Sequence, residues 1–342
     1  MYKTFEQYCS VIKRRQSARI EDVMKKGRTL AILLVTGLIS TALVGCGKKN
    51  DVFHIGVSQY VEHAALDASY KGFVDALAEA GYVDGEKIKI DYQNAQGDQS
   101  NTNTIATKLV NDNNDLILAI ATPSAQAVAN ATMDIPVLVT AVTDPYDAGL
   151  VKSNEAPGGN ISGTSDLTPV RKQFDLLTQL IPDAKKVAIL YTSSETNSKV
   201  QAQLARDAAA ELGLETVDAT VSNTNEIQQV VESLINKVDA IYAPTDNLIA
   251  KAMPTVTMVA NTNGLPVICG EKGMVEAGGL ATYGIDYYEL GKLTGEQAVK
   301  IIEGKATTED MPIAYLADED CELTVNDEVA KQLGIEIPSD LK

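Results

Sequence analysis

This 342-residue sequence predicts an α/β protein of two doubly wound parallel-sheet lobes, joined by a three-crossing hinge with a ligand cleft between them. Three observations carry that expectation. From residue 52 onward, apolar β-rich runs alternate with amphipathic helical patterns, the mark of a parallel sheet covered by helices. The order of runs then repeats after roughly 130 residues, too long a period for a solenoid and suited to two lobes of like topology. A third stretch follows Gly284, as expected of a chain that recrosses between lobes. A single continuous sheet is the competing arrangement.

Taken in order, Phe53-His54-Ile55-Gly56-Val57 reads as a strand. Tyr70 to Ala80 places Phe73, Leu77 and Ala80 on one helical face, closed by Gly81 as a C-cap. Ile88 to Tyr92 alternates with period two, Thr102 to Asn111 is helical, and Leu116 to Ala121 is a strand. A helix begins at Pro123 or Ser124, and Val137 to Thr140 is the next strand. The second copy runs Lys186 to Leu190 (strand), Val200 to Leu212 (helix), Glu215 to Thr220 (strand) and Asn225 to Ile235 (helix). Ala240 to Ala243, a helix over Asn247 to Ala260, and Pro266 to Cys269 complete it. Beyond Gly284, Glu289 to Gly304 is an amphipathic helix, and Leu323 to Leu333 holds a last short one. The crossings are expected near Gly163 to Pro169, Thr282 to Asp286 and Tyr315 to Asp320.

The first fifty residues have a different character. Met24-Lys25-Lys26-Gly27-Arg28 is a basic start, followed by an apolar run from Leu30 to Val44 and then Leu43-Val44-Gly45-Cys46. A basic flank, an apolar core of that length and small residues at a cut site describe a secretory signal peptide. The run falls short of the ~20 residues a spanning helix needs. Leu-Val-Gly-Cys matches a bacterial lipobox, so a lipid on Cys46 is expected after export. Residues 1 to 23 fit no part of this pattern, and Met24 reads as a second candidate start. The expected organisation is an upstream extension and signal peptide over 1–45 and a lipid-anchored tether over 46–51. An N-terminal lobe over 52–163 plus 286–316 and a C-terminal lobe over 164–285 plus 317–342 follow.

Charge narrows the function. The whole chain carries a formal −17, and the part from Cys46 onward has 21 basic and 43 acidic residues. So acidic a body does not attract nucleic acid or an anionic membrane surface electrostatically. No Cys/His cluster has metal-ligand spacing, and hydrolase, zincin and Walker motifs are absent, so neither cofactor nor catalysis is expected. Cys269 and Cys321 could bridge, but two buried thiols is the reading adopted.

In open α/β sheets, ligands bind beyond the carboxyl ends of the strands, so the strand-end loops are the candidate site. In the first lobe these carry Ser58, Gln59, Tyr60, Thr122, Ser124, Thr140, Thr143 and Asp144. In the second they carry Tyr191, Ser193, Asn197, Ser198, Thr245, Asp246, Asn247 and Glu271. Thr122-Pro123-Ser124 opens a helix, where unpaired N–H groups and hydroxyls suit a carboxylate. Plain N-capping accounts for the same residues. Asp246 and Glu271 are the acids placed to meet an ammonium, with a solvated loop position as the alternative for each. Tyr60, Tyr191 and Tyr283 could form an apolar or stacking wall.

With these pieces in hand, the sequence resembles the substrate-binding lipoproteins of ABC transporters, in particular the TrpX-like family. The resemblance rests on Ile55-Gly56-Val57, Ala121-Thr122-Pro123, Asp144-Pro145 continuing through Ala148-Gly149-Leu150-Val151, and Pro157 through Gly163. Tyr283-Gly284 and Tyr287-Tyr288-Glu289-Leu290-Gly291 complete it, over nearly all of 52–335. It implies a type I periplasmic-binding-protein fold and capture of a small zwitterionic solute, an amino acid and in some relatives an aromatic one, for a membrane permease. It also implies that Ser124, Thr122 and Thr143 take the carboxylate and Asp246 or Glu271 the ammonium. The absence of tryptophan leaves any stacking to Tyr or Phe. A monomer is expected, held by its lipid on the outer face of the cell membrane. The same fold binding a nucleoside, sugar or branched-chain amino acid, or serving as a sensory module, remains the alternative.

Overall fold

The structure, a computed structural model, describes residues 52–317 and 321–341. The signal peptide, Cys46 and the tether lie outside the described residues. The first lobe opens with β1 (Phe53–Gln59), α1 (Ala64–Glu79), β2 (Ile88–Asn94), α2 (Gln99–Asn111), β3 (Leu116–Ile120), α3 (Thr122–Ala131), β4 (Val137–Val142) and β5 (Ile161–Ser165). These strands form one parallel sheet in the order β2-β1-β3-β4-β5. β3, Leu-Ile-Leu-Ala-Ile, is wholly buried, the unbroken apolar run expected of a central parallel strand covered on both faces.

The second lobe continues with α4 (Val170–Leu180), β6 (Lys186–Thr192), α5 (Thr196–Glu211), β7 (Glu215–Val221), α6 (Ile227–Leu234) and β8 (Ala240–Ala243). It then adds α7 (Asn247–Lys251), α8 (Met253–Thr262), β9 (Val267–Cys269), α9 (Lys272–Glu276) and β10 (Ala281–Gly284). After α10 (Tyr287–Ile302), β11 (Glu322–Val325) and α11 (Asp327–Leu333) finish the chain. The second sheet runs β11-β10-β9-β8-β6-β7, parallel except for the antiparallel β10–β11 edge. Read from the β7 edge, its first five strands repeat the order of the first sheet. The internal repeat in the sequence is therefore a repeat of topology, with the switch points between β1 and β3 and between β6 and β8.

The chain passes from the first sheet to the second after Ser165 and returns after Gly284, where α10 packs along α1. It passes again after Ala314, which bridges Thr164 on β5. β5 itself runs two residues beyond the 163 boundary expected from sequence. Its Ile-Ser-Gly-Thr-Ser is poor in large apolar groups, which hid it among loop residues. Hydrogen bonds from Ser162 Oγ to the Met311 carbonyl (2.7 Å) and between the Thr164 and Thr294 hydroxyls (2.8 Å) bind it to the returning segment.

Other elements differ from expectation for local reasons. The single helix expected over Asn247 to Ala260 is broken at Ala252, because Pro254 cannot supply an N–H to the preceding turn. The helix α4, absent from the sequence reading, buries Val170, Phe174 and Leu177 against the second sheet. Helix α9 and strand β10 lie where only a loop and a crossing were expected. Cys269 is buried in one core cluster of the second lobe and Cys321 packs against the core of the first, so the two are not bridged. Among the described residues no helix is long and apolar enough to cross a membrane.

The packing of α1 on α10 depends on glycine. A Cβ on Gly291 would lie 2.0 Å from the Ser69 carbonyl oxygen, and one on Gly72 would lie 2.0 Å from that of Tyr288. The two backbones approach that closely because neither position carries a side chain. Gly291→Ala gains helix propensity of ~1 kcal/mol, yet the clash is with backbone and cannot be relieved by a rotamer change. We expect a net loss of about 1–3 kcal/mol, read as a lower urea midpoint. An unchanged midpoint would show that the helices separate freely.

Candidate functional site

The carboxyl ends of both sheets face one another, and a tight cavity of about 10 Å³ lies between them. The first lobe contributes His63 and Leu66 from the start of α1 and Ala141 and Thr143 from the end of β4. The second contributes Asn197 from α5, Thr245, Asp246, Asn247 and Ala250 around the start of α7, and Glu271 before α9. Two more lining residues flank the crossings: Asp166 follows β5, and Tyr287 opens α10. Ala141 has φ of 54° where the β4–β5 register shifts, a left-handed conformation uncommon for a side-chain-bearing residue and often found at functional sites.

Acidic groups crowd this small space. Asp166 is 5 % exposed, and its Oδ2 accepts a 2.7 Å hydrogen bond from the Tyr287 hydroxyl. Its Oδ1 is shielded from water and reaches no partner. Burial raises the Asp166 carboxyl above its ordinary value, and the hydrogen bonds from Tyr287 and Thr143 oppose the rise. Glu271 caps α9, accepting from Gly273 N at 2.5 Å. Burial pushes its carboxyl up to about 7, against the backbone hydrogen bonds from Gly273 and Met274. Glu195 stands behind the lining, where its Oε2 accepts from Asn247 Nδ2 (2.5 Å) and Asn197 Nδ2 (3.1 Å). Its Oε1 is buried without a partner, and burial together with the Asp246 charge holds the carboxyl well above its usual range.

Asp246 is spent inside the protein. Its Oδ2 accepts from Thr192 N (2.6 Å) and Ser198 Oγ (2.7 Å), and its Oδ1 from Thr192 Oγ1 (2.8 Å) and Ile249 N (2.9 Å). Two hydrogen bonds on each oxygen approach the capacity of a carboxylate. It ties β6, α5 and α7 together. Burial still raises its pKa. Among the described residues, no three of His, Cys, Asp and Glu are placed to hold a metal ion.

Of the sixteen residues expected at the site, the structure brings six to the cavity wall: Thr143, Asn197, Thr245, Asp246, Asn247 and Glu271. The other ten lie elsewhere. Ser58 donates to Ser124 within the first lobe (3.2 Å), Thr122 is buried at the α3 start, and Gln59 donates to Val61 O and Asp67. Thr140 accepts from Thr164 (3.1 Å), and Asp144 organises a turn by accepting from Tyr146 N, Asp147 N and Asn154. Tyr191 packs in the second-lobe core, as does part of Tyr283, while Ser193 bonds to Val221 O and Ser198 to Asp246. Tyr60 donates to Gly97 O (3.1 Å) and lines a wider interlobe groove of about 400 Å³ with Pro123, Gln126 and Glu195. Sequence reasoning missed His63, Asp166, Glu195 and Tyr287. Tyr287 was visible in the Tyr-Tyr-Glu-Leu-Gly motif, Asp166 in the first expected crossing and Glu195 within the strand-end loop from Tyr191 to Ser198; His63 gave no signal beyond its residue type.

Contacts across the cleft hold the lobes together. Gln201 Nε2, which also donates to the Thr245 hydroxyl of its own lobe, donates to Thr143 Oγ1 (3.1 Å), and Gln126 Nε2 donates to Thr196 Oγ1 (3.3 Å). Lys251 Nζ donates to Gln96 O (3.2 Å). Leu248, one residue past the lining Asn247, is buried in the first-lobe core beside Tyr60 and Val61.

The family model for ABC transporter substrate binding proteins matches residues 54–342. The chain belongs to that family. A member from Clostridioides difficile (strain R20291), described as a tyrosine-binding protein, is 45% identical over 328 residues, 92% of this chain and 94% of the relative. The solved ABC domain in complex with L-Trp from Streptococcus pneumonia is 42% identical, with a TM-score of 0.82 over 84% of this chain and 97% of that one. A ligand-free, open substrate-binding protein with adhesive properties from Clostridium difficile is 49% identical over the same shares, yet its TM-score is 0.65. The lobes of this family member thus stand closer to the arrangement of the L-Trp complex than to that of the open protein, against the order of sequence identity.

The buried acids make a pH prediction. Glu271 has its folded pKa raised from 4.5 to about 7, so the unfolded chain releases this proton first as pH rises. The stability it contributes is full below about 4.5 and is lost by about 7. Glu271→Gln removes that loss. The variant should gain on the wild type by on the order of 2–3 kcal/mol between pH 4.5 and 7.5 in urea unfolding without ligand. Parallel pH profiles would show that Glu271 is not the group withdrawn from water.

Proposed function

We propose that this protein is an extracytoplasmic solute-binding lipoprotein of an ABC importer that captures a zwitterionic, aromatic amino acid by closure of two lobes. The observation that carries the reading is the interlobe cavity with its withdrawn carboxylates, above all Asp166, whose inward Oδ1 has no partner. Carboxyl groups raised by burial are relieved by a cation that donates hydrogen bonds, and an α-ammonium is such a cation. Asp166 and Glu271 take it in this reading. Asp246, with both oxygens engaged, acts by shaping the loop. Thr143, Thr245 and Asn247 line the same cavity, and their hydroxyl and amide groups suit the ligand carboxylate.

The relatives support an amino acid over the sugars and nucleosides that the fold also serves: one is described as binding tyrosine, another was solved with L-Trp. Capture for transport, rather than sensing, follows from the ABC substrate-binding family. The lipobox at Leu43 to Cys46 supports export and anchoring. A diacyl group holds firmly where one chain holds weakly.

A thermal-shift and calorimetry screen of the chain from Gly47 onward tests the ligand. An aromatic amino acid at about 100 times its dissociation constant should stabilise the protein by about 2.7 kcal/mol. Stabilisation by a sugar or nucleoside with none by any amino acid would sink the reading. The anchor has its own test: Cys46→Ala should abolish incorporation of labelled fatty acid and release the protein from the membrane fraction. A variant that stays membrane-bound and labelled would remove Cys46 as the lipid site.

A further inference from the structure

His63 is the lining residue whose chemistry the zwitterion does not use. It is the N-cap of α1 but makes no side-chain capping bond. Both of its ring nitrogens are shielded from water, and neither reaches a partner within the protein. Leaving a buried polar nitrogen unsatisfied is costly, so two on one ring call for an explanation. Burial lowers the imidazole to about 4, with the nearby Asn247 carboxamide pulling the other way. At neutral pH the ring is therefore uncharged, with one nitrogen a donor and the other an acceptor.

Its surroundings show which part of a ligand it meets. His63 and Leu66 are three residues apart on α1, and Asn247 and Ala250 are three apart on α7, so each pair shares one helix face. All four line the cavity, joining apolar surface to a few polar groups. The opposite chemistry gathers where Asp166 meets Tyr287, with Thr143 and Glu271 acting on the same groups. A zwitterionic head suits the acidic end, which leaves the wall of His63, Leu66 and Ala250 for the side chain.

We propose that His63 selects the ligand's side chain, accepting at one ring nitrogen a hydrogen bond from an O–H or N–H on an aromatic ring. The inference rests on the amino-acid reading above and adds to it a requirement for a phenol or indole donor. A site built to hydrogen-bond such a donor rejects the analogue lacking it, because the buried partner is then left unpaired.

The test compares L-tyrosine, L-tryptophan and L-phenylalanine by calorimetry on wild type and His63→Leu. In wild type, the tighter of tyrosine and tryptophan should exceed phenylalanine by about 100-fold. In His63→Leu that ligand should lose most of its advantage, while phenylalanine changes by less than about threefold. Equal weakening of all three would make His63 a carboxylate anchor, and equal wild-type affinities would remove the selection; either result overturns the proposal. NMR supplies a readout independent of the variant's folding. The chain has two histidines, and His54 is exposed. Tyrosine or tryptophan should shift the ring-nitrogen resonances of the buried imidazole in a way phenylalanine does not, and identical spectra with all three overturn the assignment. If wild type binds no amino acid at all, the functional reading itself falls, an outcome distinct from binding without selection.

Discussion

Withdrawing carboxylates from water is costly, and this protein does it four times around one interlobe space, at Asp166, Glu195, Asp246 and Glu271. The expense is tolerable for Asp246, whose oxygens accept four hydrogen bonds from the second lobe. It is only half met for Asp166 and Glu195, each with one oxygen bonded and the other without a partner. Such a cavity is stabilised by whatever brings a positive charge and directed N–H groups into it. A ligand cation held between the lobes would offset part of the cost of keeping Asp166 and Glu271 from water.

The contacts that favour closure are modest and spread out. Leu248 seats in the first-lobe core, and neutral hydrogen bonds from Gln201 and Gln126 and one from the Lys251 ammonium cross the cleft. A net hydrogen bond is worth about 0.5–1.5 kcal/mol, comparable with the penalty of one poorly paired acid. Balanced terms of that size leave open and closed forms within reach of each other, the condition under which a ligand shifts a population instead of merely filling a rigid hole.

Much of the architecture was legible because the parallel-sheet pattern is local: β3 and β6 are apolar runs, and their helices follow with clear periodicity. What escaped depends on tertiary context. β5 is polar because Ser162 and Thr164 bond to the returning chain, a contact between residues over a hundred positions apart. At the site, the strand-end loops supplied Thr143, Asn247 and Glu271 to the cavity wall. Residue type could not separate the hydroxyls that face the cavity from those that hold the lobe together. Ser58, Ser124 and Thr140 look like ligand contacts in sequence and are internal bonds in the fold. His63 and Glu195 went unnoticed for the converse reason, since burial and a missing partner are properties no spacing reveals.

Two of the three crossings also reach the cavity. Asp166 stands at the first residue after β5, and Tyr287 at the first residue of α10, just past the second crossing; their hydrogen bond joins the two crossings at 2.7 Å. Hinge residues absorb the dihedral change when lobes close, and this pair flanks two of the segments that cross between the lobes. A cation at Asp166 Oδ1 would hold that carboxylate ionised, strengthening the bond it accepts from Tyr287, since hydrogen bonds to a charged acceptor are roughly twice as strong as neutral ones. A ligand at that carboxylate would in this way act on both crossings through one hydrogen bond.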